Sequence, residues 1–148
     1  MTRVDFFIWP LCEKRYHDLA ICNLIRSIYQ SEGSLTVLIE DSNERERLDH
    51  LLWTFEKTSF IPHGIDNTYP VKLTSDAVKE KKNILMNLGS SCPKEPEKFE
   101  IIVETAGHNE STRSKARLRF KKYKELGVGV SSHKIEDMAE TKNISLRQ

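Results

Sequence analysis

Leu35 to Ile39 reads LTVLI, a short run of apolar and β-branched residues with no alternation between polar and apolar positions. A strand covered on both faces has that composition, whereas a strand with one face in water alternates with a period of two. The residues before it indicate what covers it. From Lys14 to Ser31, His17, Ile21, Leu24, Ile25 and Ile28 fall along one side at helical spacing, and the charged Lys14, Arg15, Asp18 and Arg26 mostly take other positions. Gly33 then ends the helix, as a residue free to adopt left-handed geometry does. Further back, Arg3 to Trp9 is apolar and aromatic and stops at Pro10, the pattern of another buried strand. Strand, helix and strand form a βαβ unit, the building block of a parallel sheet.

The pattern continues downstream. Asp41 or Ser42 is placed to cap a second helix, with Glu44 three residues after Asp41 in capping-box position. Residues 47–63, RLDHLLWTFEKTSFIPH, carry that helix into a short exposed loop. Leu48, Leu51 and Leu52 have core spacing, yet Trp53 and Phe55 extend the apolar run past that face. Phe60 and Ile61 stand directly before Pro62, which disfavours helix in the residue ahead of it. Trp53 and Phe60 either close over the core, as large apolar residues usually do, or form a patch that anchors a partner. After them, 63–70 reads as a loop, Val71 to Leu73 as a small strand and Ser75 to Lys82 as a solvated polar segment. Ile84 to Leu88 and Phe99 to Thr105 read as core strands, Ser111 to Leu126 as a helix ended by Gly127, and Val128 to Val130 as an edge strand. The expectation is one α/β domain over residues 1–133, a three-layer sandwich around a mostly parallel sheet, with a loose polar tail over 134–148.

Composition narrows the function classes. With 38% hydrophobic and 30% charged residues in a chain of 148, the balance is that of a soluble globular protein. No apolar run approaches a membrane span, the N-terminus lacks a secretory pattern, and the three cysteines are irregularly spaced, so a cytoplasmic protein with free thiols is expected. Neither G-x-x-x-x-G-K-[ST] nor G-x-G-x-x-G follows a strand, and Gly127 and Gly129 follow a helix instead. No cofactor is expected. Cys12, His17 and Cys22 lack the close paired spacing of a zinc site, and no G-x-S-x-G elbow is present, so neither a metal nor catalysis is expected.

Residues 113–124, RSKARLRFKKYK, contain seven basic residues and no acidic one. On a helix, Arg113, Arg117, Lys121 and Lys124 make one cationic stripe, with Ala116, Phe120, Tyr123 and Gly127 on the neighbouring stripe that faces the sheet. A charge run is often just a solvated face. Cations in a row repel, however, and an anionic partner relieves that repulsion. An acidic peptide and the phosphates of nucleic acid are the two candidates, and the near-neutral net charge of +1 favours the peptide.

Together, RLDxxLWxxxxxSFxPH and KARxRFKKYKxxG, in this order, resemble the chi subunit of bacterial DNA polymerase III. The likeness covers most of residues 1–133. It implies a Rossmann-like fold without a nucleotide, in a non-enzymatic subunit of the clamp-loader assembly. It further implies that Trp53, Phe60, Ile61 and Pro62 meet the psi subunit or an alternative helicase partner. Arg113, Arg117, Phe120, Lys121 and Lys124 would hold the acidic, phenylalanine-ended tail of single-stranded DNA-binding protein. The alternative is a small nucleic-acid-binding module that uses the same basic helix on phosphates. Two departures stand out: Phe120 replaces a tyrosine of the best-known member, and the turn from Thr105 to Glu110 lacks apolar residues to line a tail pocket.

Overall fold

The computed structural model describes residues 2–57, 60–65, 69–77, 83–136, 141 and 144–146. Its strands are β1 (Arg3–Ile8), β2 (Leu35–Leu38), β3 (His63–Ile65), β4 (Val71–Thr74), β5 (Ile84–Asn87), β6 (Ile101–Thr105) and β7 (Gly129–Lys134), and its α-helices are α1 (Lys14–Glu32), α2 (Ser42–Thr54) and α3 (Glu110–Glu125). A single sheet orders the strands β3-β4-β2-β5-β6-β1-β7, and every pairing is parallel. The crossover from β1 to β2 runs one way along the sheet and that from β6 to β7 runs the other way. Right-handed crossovers in opposite directions put their helices on opposite faces. Accordingly α1 and α2 cover one face, packing Ile21, Leu24, Ile28, Leu48 and Leu52 on Val37, Val71 and Met86. The other face carries α3, whose Ala116 and Tyr123 pack on Val4, Phe6 and Ile102. The expected three-layer α/β sandwich is what forms.

Local chemistry sets the helix ends. Gly33 takes φ 85° and its N–H reaches the Tyr29 carbonyl, closing α1. Asp41 caps α2 by accepting from the Asn43 N–H at 2.9 Å. A full capping box opens α3, in which the Asn109 side chain accepts from the Thr112 N–H at 2.9 Å and Thr112 Oγ1 accepts from the Asn109 N–H at 3.2 Å. The orphan donors of that helix end are thereby satisfied within the chain.

Three expectations need correction. His63 to Ile65, read as the start of a loop, is an edge strand paired with β4; residues 66–68 of that loop lie outside the described residues. The solvated reading of Ser75 to Lys82 fails at Ala77, which is buried, and residues 78–82 lie outside the description. The described residues beyond Lys134 differ from a loose tail. Ile135 and Leu146 are buried, Trp9 Nε1 donates to Thr141 Oγ1 at 2.9 Å, and Ser27 Oγ donates to the Thr141 carbonyl at 2.7 Å. Trp9 ends a buried strand with an indole N–H that needs an acceptor, and Thr141 supplies it.

Candidate functional site

Two surfaces stand out, on opposite faces of the sheet. The first lies where α2 runs out beside β3. Leu48 and Leu52 turn into the core and Trp53, one residue on, turns outward, 49% exposed. Phe60 is 69% exposed, and the two rings lie 5.8 Å apart at 47°. An exposed pair of large aromatics in contact is unusual for a surface that stays in water. Pro62 is half-buried beside them. Ile61 is fully buried in the core, so its expected place on this surface is a correction. Just ahead of β3 the two neighbours part, Phe60 facing out and Ile61 facing in.

The second surface is α3. Arg117, Lys121 and Lys124 are exposed along it, and the Lys124 ammonium sits 5.1 Å from the centre of the Phe120 ring. Phe120 is half-buried against Phe6, with ring centroids 5.3 Å apart, so one edge is held by the core and the other meets the cations. Arg113 stands at the head of the stripe but turns inward, donating from Nη2 to the Trp9 carbonyl and from Nε to the Gly107 carbonyl at 3.5 Å. Its fork is therefore used within the fold, at the carboxyl ends of β1 and β6. Leu118, 69% exposed on the flank of the helix away from the stripe, was not anticipated.

Beneath α3 lies a buried polar cluster. Arg119 Nε donates to Glu104 Oε1 at 3.0 Å, and Glu104 Oε2 accepts from Tyr123 Oη at 2.6 Å and from Asn87 Nδ2 at 2.8 Å. Arg119 Nη2 also reaches the Thr105 carbonyl at 3.1 Å. Burial pushes the Glu104 carboxyl up, against the pull of Arg119, Tyr123 and Asn87. Burial, and then the Glu104 charge, push the Tyr123 phenol up, so Tyr123 stays a donor. Of the seven basic residues, then, Arg119 serves the core and not the surface. Its position three residues after Ala116 and four before Tyr123 was the signal that puts it on the buried side.

A cavity of about 410 Å³ opens at the carboxyl ends of β2, β5 and β6, lined by Lys14, His17, Asp18, Glu44, Arg47 and Lys115 among others. Sheets of this kind bind ligands there. Most of its cations are already paired: Arg47 bonds Asp18 at 2.7 Å and Glu44 at 2.7 Å, and Lys14 bonds Glu44 at 3.2 Å. Those bonds hold Glu44 below the usual carboxylate range, with Arg47 the larger cause. The walls thus offer little free charge to a phosphate. Among the described residues no cluster of three or more histidine, cysteine or acidic side chains is arranged to hold a metal ion.

A family model described as DNA polymerase III chi subunit, HolC, matches residues 1–131. The chain belongs to the chi subunit family of DNA polymerase III. The chi subunit of Pseudomonas aeruginosa is 27% identical over 139 residues, covering 91% of this chain and 98% of that protein. The Escherichia coli chi subunit is 24% identical over 123 residues, covering 76% and 81% respectively. Among solved structures, the C-terminal domain of S. cerevisiae Dbp5, in a complex with Gle1 and IP6, superposes with a TM-score of 0.55 over 94% of both chains at 10% identity. At that identity the likeness is one of fold. Membership in the chi family makes the chain a subunit of a DNA polymerase assembly. No helix among the described residues is long and apolar enough to cross a membrane.

Proposed function

We propose that this chi-family chain is a non-catalytic adaptor with two independent docking surfaces. The Trp53–Phe60 surface, with Pro62 beside it, takes the psi subunit or an alternative helicase partner. The α3 stripe of Arg117, Phe120, Lys121 and Lys124 takes the acidic C-terminal tail of single-stranded DNA-binding protein, with Arg113 turned into the fold at its head. The observation that carries this reading is the exposed Trp53–Phe60 contact at the β3 edge, set apart from the cationic helix that packs by β7. Helix α3 packs over β6 and β1 on one face of the sheet while α2 covers the other, so the two surfaces lie on opposite sides of the sheet.

At the stripe, arginine and lysine suit carboxylates, and the half-exposed Phe120 suits an apolar terminal side chain. A tail that ends in acidic residues and phenylalanine has both features. Direct use of the helix on nucleic acid predicts a different response, because phosphate binding falls steeply with salt. Fluorescence anisotropy at moderate salt separates the two. A labelled peptide with acidic residues and a terminal phenylalanine is expected to bind saturably, and an oligonucleotide only weakly. Tighter, salt-steep binding of the oligonucleotide would overturn the adaptor reading of α3.

A further inference from the structure

His63 closes the RLDxxLWxxxxxSFxPH motif, and its ring lies buried against the exposed Trp53 ring. The residue is 1% exposed, the first of β3. Its Nδ1 is 2.7 Å from the Ile61 carbonyl oxygen and its Nε2 is 2.8 Å from the Asp49 carbonyl oxygen. Carbonyl oxygens only accept, so each contact is a hydrogen bond when the facing ring nitrogen carries a proton, and a neutral imidazole donates from one nitrogen at a time. Asp49 lies one helical turn before Trp53 on α2, and Ile61 directly follows Phe60. The two contacts therefore set the ring between the two backbone segments that carry the exposed rings. Trp53 rests on the same ring, with centroids 4.3 Å apart at 42°.

On α2 the Asp49 carboxylate comes within 3.4 Å of Nε2. On β4 the register partner of His63 is the buried Val71, and Lys72, one position on, alternates to the opposite side of the sheet.

We propose that His63 is a positioning residue for the Trp53–Phe60 surface. It does not touch the partner; it sets the separation and tilt of the two rings before the partner arrives, which lowers the ordering cost of docking. The proposal rests on the reading that this surface docks psi, and the test keeps the two apart.

The chain has two tryptophans, Trp9 in the core and Trp53 at the surface, so 5-fluorotryptophan labelling gives one buried and one exposed ¹⁹F reporter. In His63→Leu, which keeps an apolar filler and removes both ring nitrogens, psi affinity is expected to fall roughly tenfold or more. The Trp53 signal should shift or broaden while that of Trp9 stays in place. His63→Gln, which restores one donor, should recover part of the affinity. A folded His63→Leu with wild-type psi affinity, or with lost affinity and an unmoved Trp53 signal, overturns the proposal. Should the variant not fold, the wild-type chain decides: at least one slowly exchanging ring N–H from His63 is expected, and rapid exchange at both nitrogens overturns it. Psi binding that survives Trp53→Ala would instead overturn the docking surface itself.

Discussion

Glu104 and Arg119 form an ion pair 3.0 Å long in which Glu104 is wholly buried and the Arg119 side chain is 9% exposed. The pair joins β6 to α3, and Tyr123 and Asn87 complete the coordination of the carboxylate. It ties the cationic helix to the sheet through a cation that is itself nearly buried. Arg119→Ala leaves Glu104 buried without its counter-charge, and breaking such a pair costs about 3–5 kcal/mol. Urea unfolding should show a loss of that size. Replacing an exposed cation of the same helix, Lys121→Ala, should change stability by less than about 0.5 kcal/mol. Equal, small effects in both variants would remove the buried pair from the account.

Acid sensitivity follows from His17. Burial, and then the neighbouring His108, push its imidazole down to about 4, and its Nε2 is buried with no hydrogen-bond partner among the described residues. The folded chain thus binds this proton less readily than the unfolded chain, in which histidine titrates near 6.5. Below about 6.5 the unfolded state gains the proton first, so stability is full above that pH and declines as pH falls toward about 4. The contribution is on the order of 3 kcal/mol. Urea midpoints at pH 7, 5.5 and 4 should fall less steeply in His17→Leu than in the wild type. Parallel slopes would show that other groups carry the acid response.

Arg113 and Arg117 head the same stripe and should behave differently. The Arg113 guanidinium holds the Trp9 and Gly107 carbonyls, whereas Arg117 makes a 3.7 Å contact with Glu110 in which both side chains are more than half exposed. Arg113→Ala should lower stability by about 1–3 kcal/mol, the cost of stranding hydrogen-bonded groups. Arg117→Ala should leave the thermal midpoint nearly unchanged, since exposed pairs contribute about 0–1 kcal/mol. Differential scanning calorimetry of the two variants checks the contrast, and matched midpoints would contradict it.

Much of this arrangement was legible from the chain itself. LTVLI announced a doubly covered strand because both of its faces are packed, and the Leu48–Leu52 spacing announced the buried side of α2. What escaped notice did so for physical reasons. The edge strand His63–Ile65 spans three residues, too few for a period to show among turn formers. Composition alone does not say that Ile61 points inward where its neighbour Phe60 points out. Arg119 was hidden among neighbours of the same charge, since charge by itself does not report burial. The tail beyond Lys134 looked loose because its few apolar residues are scattered, yet Thr141 and Leu146 find partners on β1 and α1.

The central claim is that the two surfaces work independently, and reciprocal binding measurements on two surface variants test it most directly. Isothermal titration of wild type, Trp53→Ala and Arg117→Ala would use the psi subunit in one series and the acidic, phenylalanine-ended tail peptide in the other. Trp53→Ala should lose roughly tenfold or more in psi affinity and keep the peptide affinity of the wild type, and Arg117→Ala should do the reverse. Wild-type affinity of both variants for both partners, or joint loss of both in either folded variant, would contradict the account.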